Sequence, residues 1–137
     1  MQVTRVFGIA LAALVALAPA AGAVTYECAL EAYTKFGWVP PKMYFILSED
    51  HKQAVVYDSL IAEYYGEPIP ASVSERSSGL VTMKWRVRNV QISNLRSKIS
   101  VNYTARLNVP KMTITLTPYL DGGDFELKGG GTCKIKK

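Results

Sequence analysis

The chain contains very few of the residues from which metal sites and acid–base clusters are built. Among its 137 residues there are one histidine and two cysteines, and Cys28 and Cys133 lie near opposite ends of the sequence. Zinc sites need three or four such ligands close together, so this composition excludes the common zinc motifs. The sequence also lacks a Gly-rich phosphate loop, a paired-carboxylate motif and a nucleophile elbow. We therefore expect a non-enzymatic protein with no metal site and no cofactor.

Two short segments contain residues typical of a catalytic base or of a calcium loop, but both are interpreted as turns. His51 lies between Asp50 and Lys52, but a general base also needs a nucleophile and an orienting group, and the sequence identifies neither. Residues 121–124 (Asp-Gly-Gly-Asp) lack the run of oxygen ligands that a calcium loop requires.

The sequence also lacks an apolar run long enough to span a membrane. Its longest run, residues 6–18, covers 13 residues, whereas a transmembrane helix needs about 20. The run follows one basic residue and leads into small residues that end at Ala23 in an Ala-x-Ala pattern, which is typical of a cleaved secretory signal peptide. We expect a signal peptide over residues 1–23, a single β domain over residues 24–137, a periplasmic or secreted location and no transmembrane anchor.

The two cysteines form an isolated pair in a chain that we expect to enter an oxidising compartment. Such a pair favours a disulfide between Cys28 and Cys133, joining the first strand to the last. The alternative is a reactive thiol pair, but redox pairs usually lie close together in sequence, as in Cys-x-x-Cys.

Alternation of apolar and polar residues with a period of two predicts β-strands. It is clearest over residues 81–88, 99–108 and 112–117. Less regular strands are predicted over residues 25–30, 43–48, 53–57, 70–75 and 132–136. Turn-forming residues lie between these segments, and the run Gly129-Gly130-Gly131 is interpreted as one of the turns.

About eight short strands predict an all-β fold, either a small antiparallel barrel or a two-sheet sandwich. The expected disulfide favours the barrel, because it would place the first and last strands side by side and remove the exposed sheet edges. Residues 58–65 have two interpretations. Asp58 and Gly66 are suited to begin and end a short helix, or the preceding strand continues, and we favour continuation of the strand.

Charge is distributed unevenly along the chain, whose formal net charge is +5, or +4 without the leader. Residues 49–75 contain six acids and one base, whereas residues 76–120 contain eight bases and no acid. Like charges on neighbouring strands destabilise a sheet. The cost can be offset by an anionic partner, or by the acidic segment folded alongside.

Strand alternation places several of these bases on one polar face. The candidate anion-binding residues are Lys84, Arg86, Arg88, Lys98 and Arg106. A face of this kind can be simply solvated, or it can contact phosphate, carboxylate or sulfate groups.

The aromatic residues suggest a second hypothesis. Phe45, Met83, Trp85 and Tyr103 are expected to face the interior, where an eight-stranded barrel has room for one small apolar ligand or none. Trp38 and the Tyr64-Tyr65 pair precede or lie in turns and are interpreted as caps on the barrel end, although such residues can also stack on sugars.

In size, export and strand count the chain resembles the small periplasmic barrels, cross-linked by cysteines, that inhibit C-type lysozyme. No inhibitory loop matches residue by residue, and the net positive charge opposes binding to basic lysozyme. The sequence therefore favours a small exported binding or structural protein of the bacterial envelope, whose partner is an anionic envelope component or an acidic protein and not nucleic acid. The alternatives are a carrier of an apolar ligand and a lysozyme-inhibitor-like protein.

Overall fold

The strands of this protein form one closed antiparallel sheet. The computed structural model describes residues 22–33, 38–91, 97–121 and 127–137. Within them, consecutive strands pair in chain order and the last pairs with the first, so the prediction of an eight-stranded barrel is confirmed. The elements are β1 (Val24–Ala32), β2 (Lys42–Leu47), β3 (Ala54–Tyr57), α1 (Ser59–Tyr65), β4 (Ile69–Ser77), β5 (Leu80–Gln91), β6 (Lys98–Asn108), β7 (Thr113–Leu120) and β8 (Gly129–Ile135).

The alternation in the sequence becomes the inside and the outside of the barrel. On β5, Val81, Met83, Trp85 and Val87 are buried, and the residues between them face outward. Strand β6 repeats the pattern, with Val101, Tyr103, Ala105 and Leu107 buried. Burial of these apolar side chains, at about 25 cal/mol per Å² of apolar surface, is the main source of stability.

Aromatic side chains pack against each other in the centre of the barrel. The rings of Trp85 and Tyr103 are stacked with centroids 5.3 Å apart, and Phe45 meets Trp85 edge-on at 5.7 Å. The Tyr103 hydroxyl donates a hydrogen bond to the carbonyl of Trp38 (3.1 Å). Burial raises the pKa of Tyr103, so its hydroxyl remains a donor over the physiological pH range.

The disulfide closes the barrel. Cys28 and Cys133 lie directly opposite each other in the pairing of β1 with β8, with their Cα atoms 4.0 Å apart and their sulfurs bonded. The predicted pairing is confirmed, and with it the argument that the cysteines place the terminal strands side by side.

The two ends of the barrel are built differently. At one end, here called the hairpin end, short turns join β2 to β3, β4 to β5 and β6 to β7. At the other, here called the helix end, α1 joins β3 to β4. Trp38 and Tyr64 pack against the core at the helix end, as expected for residues that cap a barrel.

The prediction that residues 58–65 continue a strand is wrong, because Ser59–Tyr65 is an α-helix. Asp58 is its N-cap, and its Oδ1 accepts a hydrogen bond from the Ile61 N–H (2.8 Å). Gly66 ends the helix in the left-handed conformation, with φ of 76°, where a glycine is favoured. Asp58 and Gly66 thus provide hydrogen-bond partners for backbone groups at the two ends of the helix.

Asp58 provides a pH-dependent test of this helix start. Burial raises the pKa of its carboxyl group above the usual value, and its Oδ2 has no hydrogen-bond partner. The folded protein therefore binds this proton more tightly than the unfolded chain does. The contribution of the protonated Asp58 to stability is fully present below the unfolded-state pKa and is lost as pH rises through the folded-state pKa. We expect Asp58→Asn, which keeps the capping oxygen, to gain stability relative to the wild type as pH increases.

Urea unfolding of both proteins at about pH 3 and about pH 7 measures this difference, since all other titrating groups are shared. Asp58→Ala is the control for the cap, and should be about 1 kcal/mol less stable than Asp58→Asn at both pH values. A difference between Asp58→Asn and the wild type that does not change with pH would contradict the assignment.

The prediction that Gly129-Gly130-Gly131 forms a turn is also wrong, because all three residues lie in β8. Gly131 pairs with Leu30 on one side and Ile114 on the other. Strand β1 approaches Gly131 too closely for any side chain. Glycine at this position therefore permits β8 to pair with β1.

The predicted signal peptide lies almost entirely outside the described residues. Among the described residues, no helix is long and apolar enough to cross a membrane.

Candidate functional site

The outer surface of β4, β5, β6 and β7 is polar and positively charged. We call it the basic face. The long strands β5 and β6 form its centre, and alternation turns their hydroxyl, amide and basic side chains outward. Its residues on the four strands include Ser72, Ser74, Thr82, Lys84, Arg86, Asn102, Thr104, Arg106, Thr113 and Thr115.

The strand register separates the cations of this face from one another. Lys84 lies opposite Ser72 on β4 and Thr104 on β6, while Arg106 lies opposite Thr82. Lys84 and Arg106 are therefore diagonal neighbours, about 7 to 8 Å apart. Two unit charges at that distance repel by about 0.6 kcal/mol in bulk water, so the sheet tolerates them without a bound partner.

Toward the hairpin end, the basic face contains a groove of about 520 Å³, here called the basic groove. Its three cationic residues are Arg76 from β4, Lys84 from β5 and Arg106 from β6. No carboxylate lines it, and within the described residues none of the three cations has an ion-pair partner. The other lining residues are Ser74, Leu80, Val81, Thr82, Leu107, Asn108, Thr113, Ile114 and Thr115.

Toward the helix end, a second hollow of about 520 Å³, here called the tyrosine groove, is formed where β5 bulges. The Tyr65 hydroxyl accepts a hydrogen bond from the backbone N–H of Arg88 (3.1 Å), and the Tyr64 hydroxyl accepts one from that of Gln91 (3.0 Å). Helix α1 therefore holds the bulge in place. The lining residues are Tyr64, Tyr65, Arg88, Asn89, Gln91 and Lys98.

An ion pair separates the two grooves. Arg86 Nη2 donates a hydrogen bond to Asp121 Oδ2 (2.8 Å), and Asn102 Nδ2 donates one to Asp121 Oδ1 (3.1 Å). Asp121 follows β7, and it places a negative charge between the two sets of cations. Both members of the ion pair remain about half exposed, at 46% each.

The acidic segment of the sequence does not neutralise the basic face. In the described part of the chain, Glu75 pairs with His51, Asp50 accepts hydrogen bonds from its own turn, and Asp58 is buried at the start of α1. The hydrogen bond from His51 lowers the pKa of Glu75. These acids organise turns and the start of a helix, and none of the three forms an ion pair with a described cation of the basic face.

The structure places all five predicted anion-binding residues on one outer surface but divides them into three groups. Lys84 and Arg106 line the basic groove, Arg88 and Lys98 line the tyrosine groove, and Arg86 lies between them in its ion pair. Arg76 is one of the eight bases of residues 76–120 but not one of the predicted site residues, since it follows the strand predicted over residues 70–75. The feature of the sequence that could have identified Arg76 is its position at the start of the stretch without acidic residues. Arg96, another base of that stretch, lies outside the described residues.

The interior residues proposed for a carrier pack on one another. Phe45, Met83 and Tyr103 are almost fully buried, and Trp85 touches both aromatic rings. The Trp85 indole Nε1 is buried without a hydrogen-bond partner. These rings occupy the centre of the barrel, whereas the two grooves described above lie on its outer wall.

No group of three or more histidine, cysteine, aspartate or glutamate residues suited to hold a metal occurs within the described ranges. In comparisons with known proteins, no family model, no curated protein and no solved structure matches this chain.

Proposed function

We propose that this protein is an exported, non-enzymatic binding module of the bacterial envelope, and that its basic face binds an anionic partner. The observation that carries the proposal is the basic groove, in which Arg76, Lys84 and Arg106 converge without any carboxylate among the lining residues. Unpaired cations gathered in a concave surface attract anions, and guanidinium groups bind phosphate, sulfate and carboxylate oxygens in pairs.

Export is supported by the leader and by the disulfide. The sequence before Ala23 has the pattern of a cleaved signal peptide, and disulfides such as Cys28–Cys133 persist in oxidising compartments. An envelope location would bring the basic face close to anionic glycans and lipids.

The other two hypotheses have less support. A carrier needs interior space, and the rings of Trp85 and Tyr103 stack against each other in the centre of the barrel. A lysozyme inhibitor needs a surface that attracts a basic enzyme, and the grooves described here are cationic.

The test replaces the two best placed cations of the basic groove by acids. We expect Lys84→Glu with Arg106→Glu to elute from a phosphocellulose column at much lower salt than the wild type, because two attractive charges become repulsive. The expected affinity for the phosphate groups falls at least about tenfold, which corresponds to about 1.4 kcal/mol. The elution salt and the slope of binding against salt concentration are the measurements.

The matched control is Lys52→Glu with Lys137→Glu, which makes the same change in net charge at exposed positions outside both grooves. It should elute close to the wild type, and circular dichroism should show that both variants fold. Equal losses in the two variants would mean that net charge, rather than the groove, causes retention, and would overturn the proposal.

A further inference from the structure

The two grooves lie on the same outer surface and share strands β5 and β6. Lys84 lines the basic groove and Arg88 lines the tyrosine groove, and both project outward from β5. Four residues of extended strand span about 13 Å. The two grooves are therefore separate along the strand, and a ligand longer than a single phosphate, sulfate or carboxylate group can occupy both.

The residues between the grooves would allow one ligand to continue from one to the other. Arg86 lies midway, but Asp121 occupies it. A half-exposed surface ion pair contributes little to stability, so an anionic group of a longer ligand can replace Asp121 at Arg86 at small cost. Asn102 and Thr104 beside it supply further hydrogen-bonding groups.

The chemistry of the face favours a sugar chain over other polyanions. Hydroxyl and amide side chains surround the cations of the basic groove, including Ser74, Thr82, Asn108 and Thr115, and these match the hydroxyl groups of sugars. The basic groove contains no aromatic residue on which nucleic acid bases would stack, and the tyrosine groove contains Tyr64 and Tyr65, whose rings can also stack on sugars. Its lining includes few apolar side chains that would enter a lipid surface, with Leu80 the one large exposed example.

We propose that the ligand of the basic face is a linear acidic polysaccharide that crosses both grooves. The inference rests on the proposed function and adds the class and minimum length of the ligand. A chain bound in the basic groove holds its next charges close to Arg88 and Lys98, so the second contact forms at high effective concentration.

The first experiment measures how affinity depends on ligand length. Size-fractionated dextran sulfate, from disaccharides to decasaccharides, is titrated into the protein by calorimetry at constant salt. We expect the affinity to rise at least about tenfold once the oligomer is long enough to span the distance from Lys84 to Arg88, because linkage makes the second binding event intramolecular. An affinity per sulfate group that is independent of length would overturn the inference.

Two variants distinguish the spanning ligand from general charge attraction. Arg88→Ala with Lys98→Ala should remove the gain of the long oligomers, so that they bind this variant no more tightly per chain than disaccharides do. Asp121→Asn frees Arg86 and removes the negative charge between the grooves, so it should tighten binding of long oligomers several-fold with little effect on disaccharides. A similar effect of either variant on short and long oligomers would contradict a ligand that crosses both grooves.

The outcomes also separate this inference from the proposed function. If disaccharide binding is lost in Lys84→Glu with Arg106→Glu but length has no effect, the basic groove binds anions and only the extended ligand is wrong. If that variant binds disaccharides as the wild type does, the proposed function itself fails. Tighter binding of single-stranded DNA, or of phosphatidylglycerol vesicles, than of dextran sulfate at matched charge concentration would overturn the assignment to a polysaccharide.

Discussion

Replacing both cysteines by alanine, as Cys28→Ala with Cys133→Ala, is expected to lower the free energy of unfolding by about 2 to 5 kcal/mol. The bond joins residues separated by 105 positions, and in the chain-entropy model a loop of about 100 residues can contribute roughly 4.7 kcal/mol. The bond also links the two strands whose pairing closes the barrel. Alanine avoids burying a hydroxyl group, since both positions are buried.

Urea unfolding of the oxidised protein, the reduced protein and the double variant measures the effect. The reduced wild type should resemble the double variant, and mass spectrometry of a non-reduced digest should find one species that contains both cysteines. Two free thiols per chain in protein purified without reductant, or equal stability of the oxidised protein and the variant, would contradict a structural role for the bond.

The substitution Gly131→Ala is expected to destabilise the barrel by at least about 3 kcal/mol, at the upper end of the usual cost of overpacking. A Cβ atom at this position would collide with the carbonyl group of Ala29 on the neighbouring strand. The colliding atoms belong to the backbone, so no side-chain rotation relieves the contact. Strand β1 would have to move away from β8 at the closure of the sheet.

Gly66→Ala is the matched control for this substitution. Gly66 has a positive φ of 76° and no atom within 4 Å of the position that a Cβ would take, so alanine there should cost only about 1 to 2 kcal/mol of backbone strain. The comparison, made by thermal and urea unfolding, separates collision from conformational strain. If Gly131→Ala proves no more destabilising than Gly66→Ala, the close approach of β1 to β8 is wrong.

The core of the barrel determines where the cations of the basic face point. Lys84 lies between Met83 and Trp85, whose side chains are buried, and Arg106 lies between the buried Ala105 and Leu107. Because alternate residues of one strand share its backbone, packing inside the barrel determines the spacing of the charges outside. A rigid strand therefore presents the groove with little loss of conformational freedom on binding.

The two wrong predictions, for residues 58–65 and for Gly129-Gly130-Gly131, have a common cause. Both segments are shaped by contacts with residues that are distant in sequence. The signals for α1, Asp58 and Gly66, are present in the sequence, but its apolar residues suit either a helix or a strand. The hydrogen bonds that the Tyr64 and Tyr65 hydroxyls accept from the bulge of β5 stabilise the helix rather than a strand. For Gly131, composition alone suggests a turn, and only the approach of β1 explains a strand.

The sequence by itself determined the features that depend on neighbouring residues. Period-two alternation determined that β5 and β6 are strands and that Lys84, Arg86 and Arg106 point outward, because that pattern is local. The tertiary structure alone decided which charges meet. The register of β4 with β5 and of β5 with β6 brought Arg76 to Lys84 and Arg106, and the pairing of β5, β6 and β7 placed Asp121 on Arg86, 35 residues away. These contacts depend on the register between neighbouring strands, which alternation within a single strand does not specify.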